Sequence, residues 1–204
     1  MKILAIGANG VIGKAVVSHL QQDHEVIAVG HSHGDYMVDI ENKESIKALY
    51  ERVGKVDAII SMAGNGQMGS LEEMPESGYH TVLSNKVMGQ VNLVRLGLDY
   101  LNEGASITLT SGQASNHPML GTAAIAMGVA AVNAFVATAA LELKDGKRIN
   151  AVSPSMVKET MEQWGIDSGS GIPAIDVATY YQASIDGQQN GEVFNATGGQ
   201  YEPA

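Results

Sequence analysis

With 204 residues, 45% of them hydrophobic and 17% charged, the chain is long enough for one domain with a substantial core and carries no disorder signature. A formal net charge of −10 argues against a nucleic-acid or anionic-membrane surface, and the absence of cysteine excludes disulfides and Cys-based zinc sites. The N-terminal apolar run stops at a glycine turn and Met119 to Leu143 is broken by Gly, Asn and Thr, so a cytoplasmic protein with no metal and no membrane partner is expected.

Lys2 to Ile6 is a short apolar run suited to a buried parallel strand. Gly7, Gly10 and Gly13 follow at intervals of three, and an amphipathic helix, Val11 to Leu20, begins inside that spacing. A strand that turns tightly into a helix gathers unpaired backbone N–H groups and the positive end of a helix dipole at one point, which suits a diphosphate. Glu25 to Val29 is a second strand, ending at Gly30-His31-Ser32-His33-Gly34. A carboxylate at such a strand end selects NAD through the ribose hydroxyls, whereas a cation favours the 2′-phosphate of NADP. No acid stands there, and His31, Ser32 and His33 can donate to a phosphate, which favours NADP over NAD; the alternative is a loop with two exposed histidines.

Val38-Asp39-Ile40 leads into a helix, Asn42 to Val53, and Val56 to Ser61 is a third strand closing at Met62-Ala63-Gly64-Asn65-Gly66, where small residues let a ring or ribose approach the backbone. Ser77 to Tyr100 carries apolar residues at helical spacing and predicts one long helix. Ser106 to Leu109 is a fourth strand, landing on Thr110-Ser111-Gly112, and Thr122 to Leu143 is a helix rich in small residues. Arg148 to Val152 is a further strand stopped by Ser153-Pro154. A less regular segment, Ser155 to Gly171, precedes a helix at Ile175 to Ile185 and a last strand at Gly191 to Asn195. Strands alternating with helices throughout, without a linker or repeat, predict one domain over 1–204 built on a doubly wound parallel sheet in three α/β/α layers, with ligands beyond the carboxyl ends of its strands.

In their order along the chain these stretches resemble the short-chain dehydrogenase/reductase family. Gly7-Ala8-Asn9-Gly10-Val11-Ile12-Gly13 is similar to its dinucleotide fingerprint, and Asp39-Ile40 to the pair that contacts adenine. Ser61-Met62-Ala63-Gly64 stands where many members read NNAG, Asn85 where they carry a helix asparagine, and Ser111 at the catalytic serine. Ile149-Asn150-Ala151-Val152-Ser153-Pro154 is similar to the stretch lining the nicotinamide. The resemblance implies an NAD(P)-binding Rossmann fold. It implies a cofactor site at Gly7, Asn9, Gly10, Val11, Ile12, Gly13, His31, Ser32, Asp39, Ile40, Ala63, Gly64, Pro154 and Val157. It further implies a small carbonyl or alcohol substrate, and a homo-oligomer formed through the helices near 77–101 and 122–143.

The same resemblance exposes a departure. The family uses a tyrosine and a lysine four residues apart on the helix after the serine strand, and here Ile125 and Val129 fall at those positions. No tyrosine lies between Tyr100 and Tyr180 and no lysine between Lys86 and Lys144, so a local shift of register restores neither. Ser111 either hydrogen-bonds the substrate oxygen or simply ends a strand; Asn85 steadies a helix backbone or a water. His117 either protonates the alkoxide or turns to solvent beside Pro118. Lys86 and Lys158 are less promising than His117, the first because it neighbours Asn85 on a helix whose inward face is Asn85's. Two functions remain: a short-chain-type NAD(P)-dependent oxidoreductase with an altered active site, or a non-catalytic dinucleotide-binding sensor or scaffold of the same fold.

Overall fold

The computed structural model describes residues 1–202. Seven strands form a single sheet in the order β3-β2-β1-β4-β5-β6-β7. They are β1 (Lys2–Ile6), β2 (Glu25–Gly30), β3 (Tyr36–Met37), β4 (Val56–Ser61), β5 (Leu101–Thr110), β6 (Arg148–Pro154) and β7 (Val193–Ala196), and every neighbouring pair is parallel. Alternate side chains of each strand point to opposite faces. Leu4, Ile6 and Ile59 therefore join one core, beneath α2 (Lys43–Val53), α4 (Gln90–Gly97) and α5 (Ala123–Ala139). Ile3, Ala58 and Ile60 join the other, beneath α1 (Val11–Leu20) and α7 (Ala174–Asp186). The doubly wound three-layer reading is correct, and among the described residues no helix is long and apolar enough to cross a membrane.

From β1 the chain winds outward through β2 and β3, then returns to place β4 on the other side of β1. The loops leaving β1 and β4 diverge at this reversal and open a crevice at the carboxyl ends of the strands.

Two expectations need correction. The segment Ser155 to Gly171 holds a short helix, α6 (Lys158–Gln163). The long helix expected over Ser77 to Tyr100 is not uniform: α3 (Glu76–Thr81) passes into a π-helix at Val82–Gly89 before α4. A π-helix widens the turn to an i→i+5 bond and shifts which side chains face inward. The fully buried Gln90 secures it, donating from Nε2 to the Lys86 carbonyl at 3.0 Å and to the Thr110 carbonyl at 3.0 Å. Its Oε1 accepts the Thr110 N–H at 2.9 Å.

Behind the end of β5, the Thr110 hydroxyl donates to the Ser61 carbonyl at 2.6 Å and meets the buried Tyr181 hydroxyl at 2.6 Å. Burial pushes the Tyr181 phenol well above its ordinary range, so it stays protonated. Tyr181→Phe removes one buried hydrogen bond and leaves Thr110 its bond to Ser61. The expected loss is about 1 kcal/mol, seen as a melting temperature lower by about 2–4 °C.

Candidate active site

The turn after β1 is held by close backbone approach. Gly7 has φ +86°, and a Cβ there would lie 2.6 Å from the Ala63 nitrogen at the end of β4. A Cβ on Gly13 would overlap the Gly7 carbonyl oxygen. Glycine is required at both positions for different reasons, handedness at the first and helix-to-strand proximity at the second. Gly10 begins α1 with no side-chain cap and no acid in the first turn, so the N–H groups there remain available to an anion.

A cleft of about 780 Å³ runs from this loop across Gly30, His31, Ser32 and His33 to Asp39, Ile40 and Glu41, then along Met62, Ala63, Gly64 and Asn65 to Asn85. Asn9 ties its two walls by donating to the His33 carbonyl at 2.6 Å. The acids near the cleft are already engaged. Asp35 accepts the Ala28 N–H at 2.8 Å and Asp39 accepts the Glu41 N–H at 2.9 Å, while Glu41 accepts from Asn85 Nδ2 at 2.6 Å. His31, Ser32 and His33 are exposed, and among the described residues no carboxylate pairs with either imidazole.

A second cavity of about 500 Å³ adjoins the first, with Gly64 and Asn65 in the walls of both. Ile125 and Val129 of α5 line it, together with Met68, Met119, Met156 and Trp164, so most of its surface is apolar. Ser111, Gln113, His117 and Lys86 are among its polar groups, with Asn65, Thr122, Ser155 and Thr197. Ser111 is 5% exposed and donates to the Val129 carbonyl at 3.2 Å. Gln113 is fixed by its amide bonds to the Ser153 carbonyl at 3.0 Å and Asn195 at 2.6 Å. His117 lies on the exposed loop at the rim.

The structure thus gathers Gly7, Asn9, Gly10, His31, Ser32, Asp39, Ile40, Ala63 and Gly64 at one cleft, with Val11, Ile12 and Gly13 in the first turn of α1 beside it. Pro154 faces the second cavity instead. Val157 lines neither: it is buried at the start of α6 and bridges to Ile172, among the apolar residues under α7. Asn85 lines the cleft but not the second cavity, and accepts the Asn65 N–H at 2.7 Å, so it shapes the loop rather than reaching the cavity.

The expectation that Asn85 takes the inward face of the helix, leaving Lys86 the less promising residue, needs correction. In the wider turn of the π-helix Asn85 faces the cleft while Lys86, the next residue, faces the adjoining cavity. Its stem crosses Gly64, where a Cβ would lie 2.6 Å from Cδ, and passes over Gly128. The sequence did hold a signal, since Val82, Lys86 and Gln90 recur every four residues and both flanking members are buried. Gln90, Glu41 and Gln113 were also missed, because their partners are distant backbone groups and loop residues.

This arrangement has known counterparts. A family model described as enoyl-(acyl carrier protein) reductase matches residues 5–183. The chain belongs to the short-chain dehydrogenase/reductase family. It is 43% identical to the protein lin1944 from Listeria innocua, covering 96% of this chain and 98% of that one with a TM-score of 0.92. A small-chain dehydrogenase in complex with NADPH superposes with a TM-score of 0.85 at 25% identity, over 96% of each chain. The short-chain dehydrogenase/reductase ATR9 of Stachybotrys chlorohalonatus is 26% identical over 74% of this chain and 72% of its own length. A match to the peroxisomal 2,4-dienoyl-CoA reductase of Arabidopsis thaliana is shorter, spanning 35% of this chain and 24% of that protein.

The free N-terminus of α1 and the glycine cradle fit a dinucleotide's diphosphate. Gly7→Ala forces a side chain into a left-handed turn against Ala63, at a strain of about 1–3 kcal/mol before any clash is counted. The variant is expected to melt at lower temperature and to show no stabilisation by an added nicotinamide dinucleotide where the wild type does, read by thermal shift.

Proposed function

We propose that the chain is an NADP-dependent oxidoreductase acting on a small, largely apolar carbonyl compound or its alcohol. The observation that carries this reading is the pair of joined hollows. A protein that only binds or senses a dinucleotide needs the cleft; the adjoining cavity, apolar but furnished with Ser111, Lys86 and His117, suits a second molecule placed against the cofactor's end. When bound, NADPH supplies a hydride.

The chain's own groups would do the rest. The first turn of α1 and the Gly7–Gly13 loop would hold the diphosphate, and Ile40 and Asp39 would border the adenine. His31 and Ser32 would donate to a 2′-phosphate, a choice supported by the engagement of Asp35 and Asp39 with backbone N–H groups. Ser111 would turn its hydroxyl from the Val129 carbonyl to a substrate oxygen, an exchange of one acceptor for another. The apolar walls, Ile125 and Val129 above all, would exclude water from the reacting carbon.

Two further readings go with this one. The exposed small side of α5, Ala123, Met127, Ala130, Ala134 and Ala137, supports a homo-oligomer through that helix and its neighbour. Location in the cytoplasm accords with the composition.

NADPH is expected to raise the melting temperature more than NADH does, and absorbance at 340 nm is expected to fall when diacetyl, benzaldehyde or cyclohexanone is added with NADPH. Stabilisation by NADPH with no oxidation across a wide carbonyl panel would favour the sensor or scaffold; stabilisation by neither nucleotide would contradict both.

A further inference from the structure

The cavity needs a proton donor, and α5 provides none: Ile125 and Val129 have no exchangeable side-chain proton. Several other polar groups in the walls are committed, although the buried Ser155 hydroxyl and the His117 ring make no hydrogen bond. Ser111 donates to the Val129 carbonyl, the Gln113 amide to Ser153 and Asn195, and the Thr122 hydroxyl to the Met119 carbonyl. Lys86 differs from them. Its Nζ makes no hydrogen bond and has no carboxylate within 4.0 Å among the described residues, and it sits beside Gly64, where cleft and cavity meet.

The conformation that presents this lysine is built in. The π-helix turns residue 86 into the cavity, and Gln90 anchors the Lys86 carbonyl to the end of β5, one residue before Ser111. Gly64 and Gly128 leave the space that the stem occupies. Lys86 is half-buried, and an ammonium without a partner there is costly to hold.

We propose that Lys86 is the proton donor of this site, supplied from the π-helix in place of a donor on α5. The proposal rests on the reading of the chain as a carbonyl reductase. In the reducing direction the carbonyl carbon accepts the hydride that NADPH supplies, the C–O π pair moves to oxygen, and that oxygen takes a proton from Nζ. Lys86 is left as a neutral amine and regains its proton from water. Alcohol oxidation runs the same transfers backwards, with neutral Lys86 as base.

Burial brings the Lys86 pKa down from 10.5 to about 8, close to the range in which an acid can both hold and release a proton. The other titratable group in the cavity wall is His117; across the cleft stand His31, His33, Asp39 and Glu41.

The first test needs no turnover. Trace labelling with acetic anhydride from pH 6 to 10, read by mass spectrometry over the nine lysines of the chain, is expected to place the Lys86 midpoint near 8 and to show protection by NADPH. A midpoint in the ordinary lysine range overturns the proposal. The second test compares Lys86→Met and Lys86→Arg with wild type in NADPH-dependent reduction of the best carbonyl. Both variants should keep the NADPH thermal shift and lose kcat by about 10²–10⁴-fold, since methionine has no proton and arginine does not release one.

Lys86→Met should also fold more stably than wild type at pH 7. The folded pKa lies below the unfolded one, so wild-type stability rises from pH 8 towards 10.5 and the gap narrows across that window. Activity retained in Lys86→Met, or restored by Lys86→Arg, overturns the donor role and leaves the reductase reading intact. A low midpoint in a wild type that turns over no carbonyl overturns both.

Discussion

The site depends on one buried amide. Gln90 bonds through both of its ends, joining the Lys86 carbonyl to the two backbone groups of Thr110. Those bonds satisfy a carbonyl at the widened turn and complete the edge of β5 where the strand runs out of partners. An unpaired carbonyl buried there would cost on the order of 1–3 kcal/mol, so the π-helix and the strand end are stabilised together. Everything that faces the cavity follows from that junction: Ser111 from β5 on one side, Lys86 from the π-helix on the other.

Beside Ile125 and Val129 of α5, the cavity still holds Ser111, His117 and Lys86. Small or apolar residues on α5 make room for a cation arriving from the neighbouring helix. Gly128 admits its stem, and Val129 fills the inner wall while its carbonyl holds Ser111. The dinucleotide cleft is a separate construction, fixed by the contact of Gly7 with Ala63 and by Asn9 against His33. The cleft and the cavity thus rest on different contacts and share Gly64 and Asn65.

Much of the fold was legible in the sequence because buried parallel strands are continuous apolar runs, and the glycine spacing after β1 has a single compact solution. The tight turn after β1 and the small residues after β4 were readable from local chemistry, whereas Asp39-Ile40 was placed only by the resemblance to the family. Lys86 was not readable, because a 3.6-residue period was assumed over Val82–Gly89 and Asn85 was assigned its inward face. The four-residue spacing of Val82, Lys86 and Gln90 hinted at the helix's inward side, but the bonds from Gln90 to β5 that fix the π-turn are tertiary and have no local signature. Val157 was named only from the resemblance to the family, and its buried side chain lies with the core under α7.

A crystal structure of the complex with NADPH tests the central claim most directly. The account predicts the diphosphate over the first turn of α1, the 2′-phosphate against His31 and Ser32, and the nicotinamide at Gly64 with Lys86 Nζ pointing into the space beside it. A nicotinamide lodged away from that junction, or Lys86 turned out of the cavity onto a carboxylate, would contradict it.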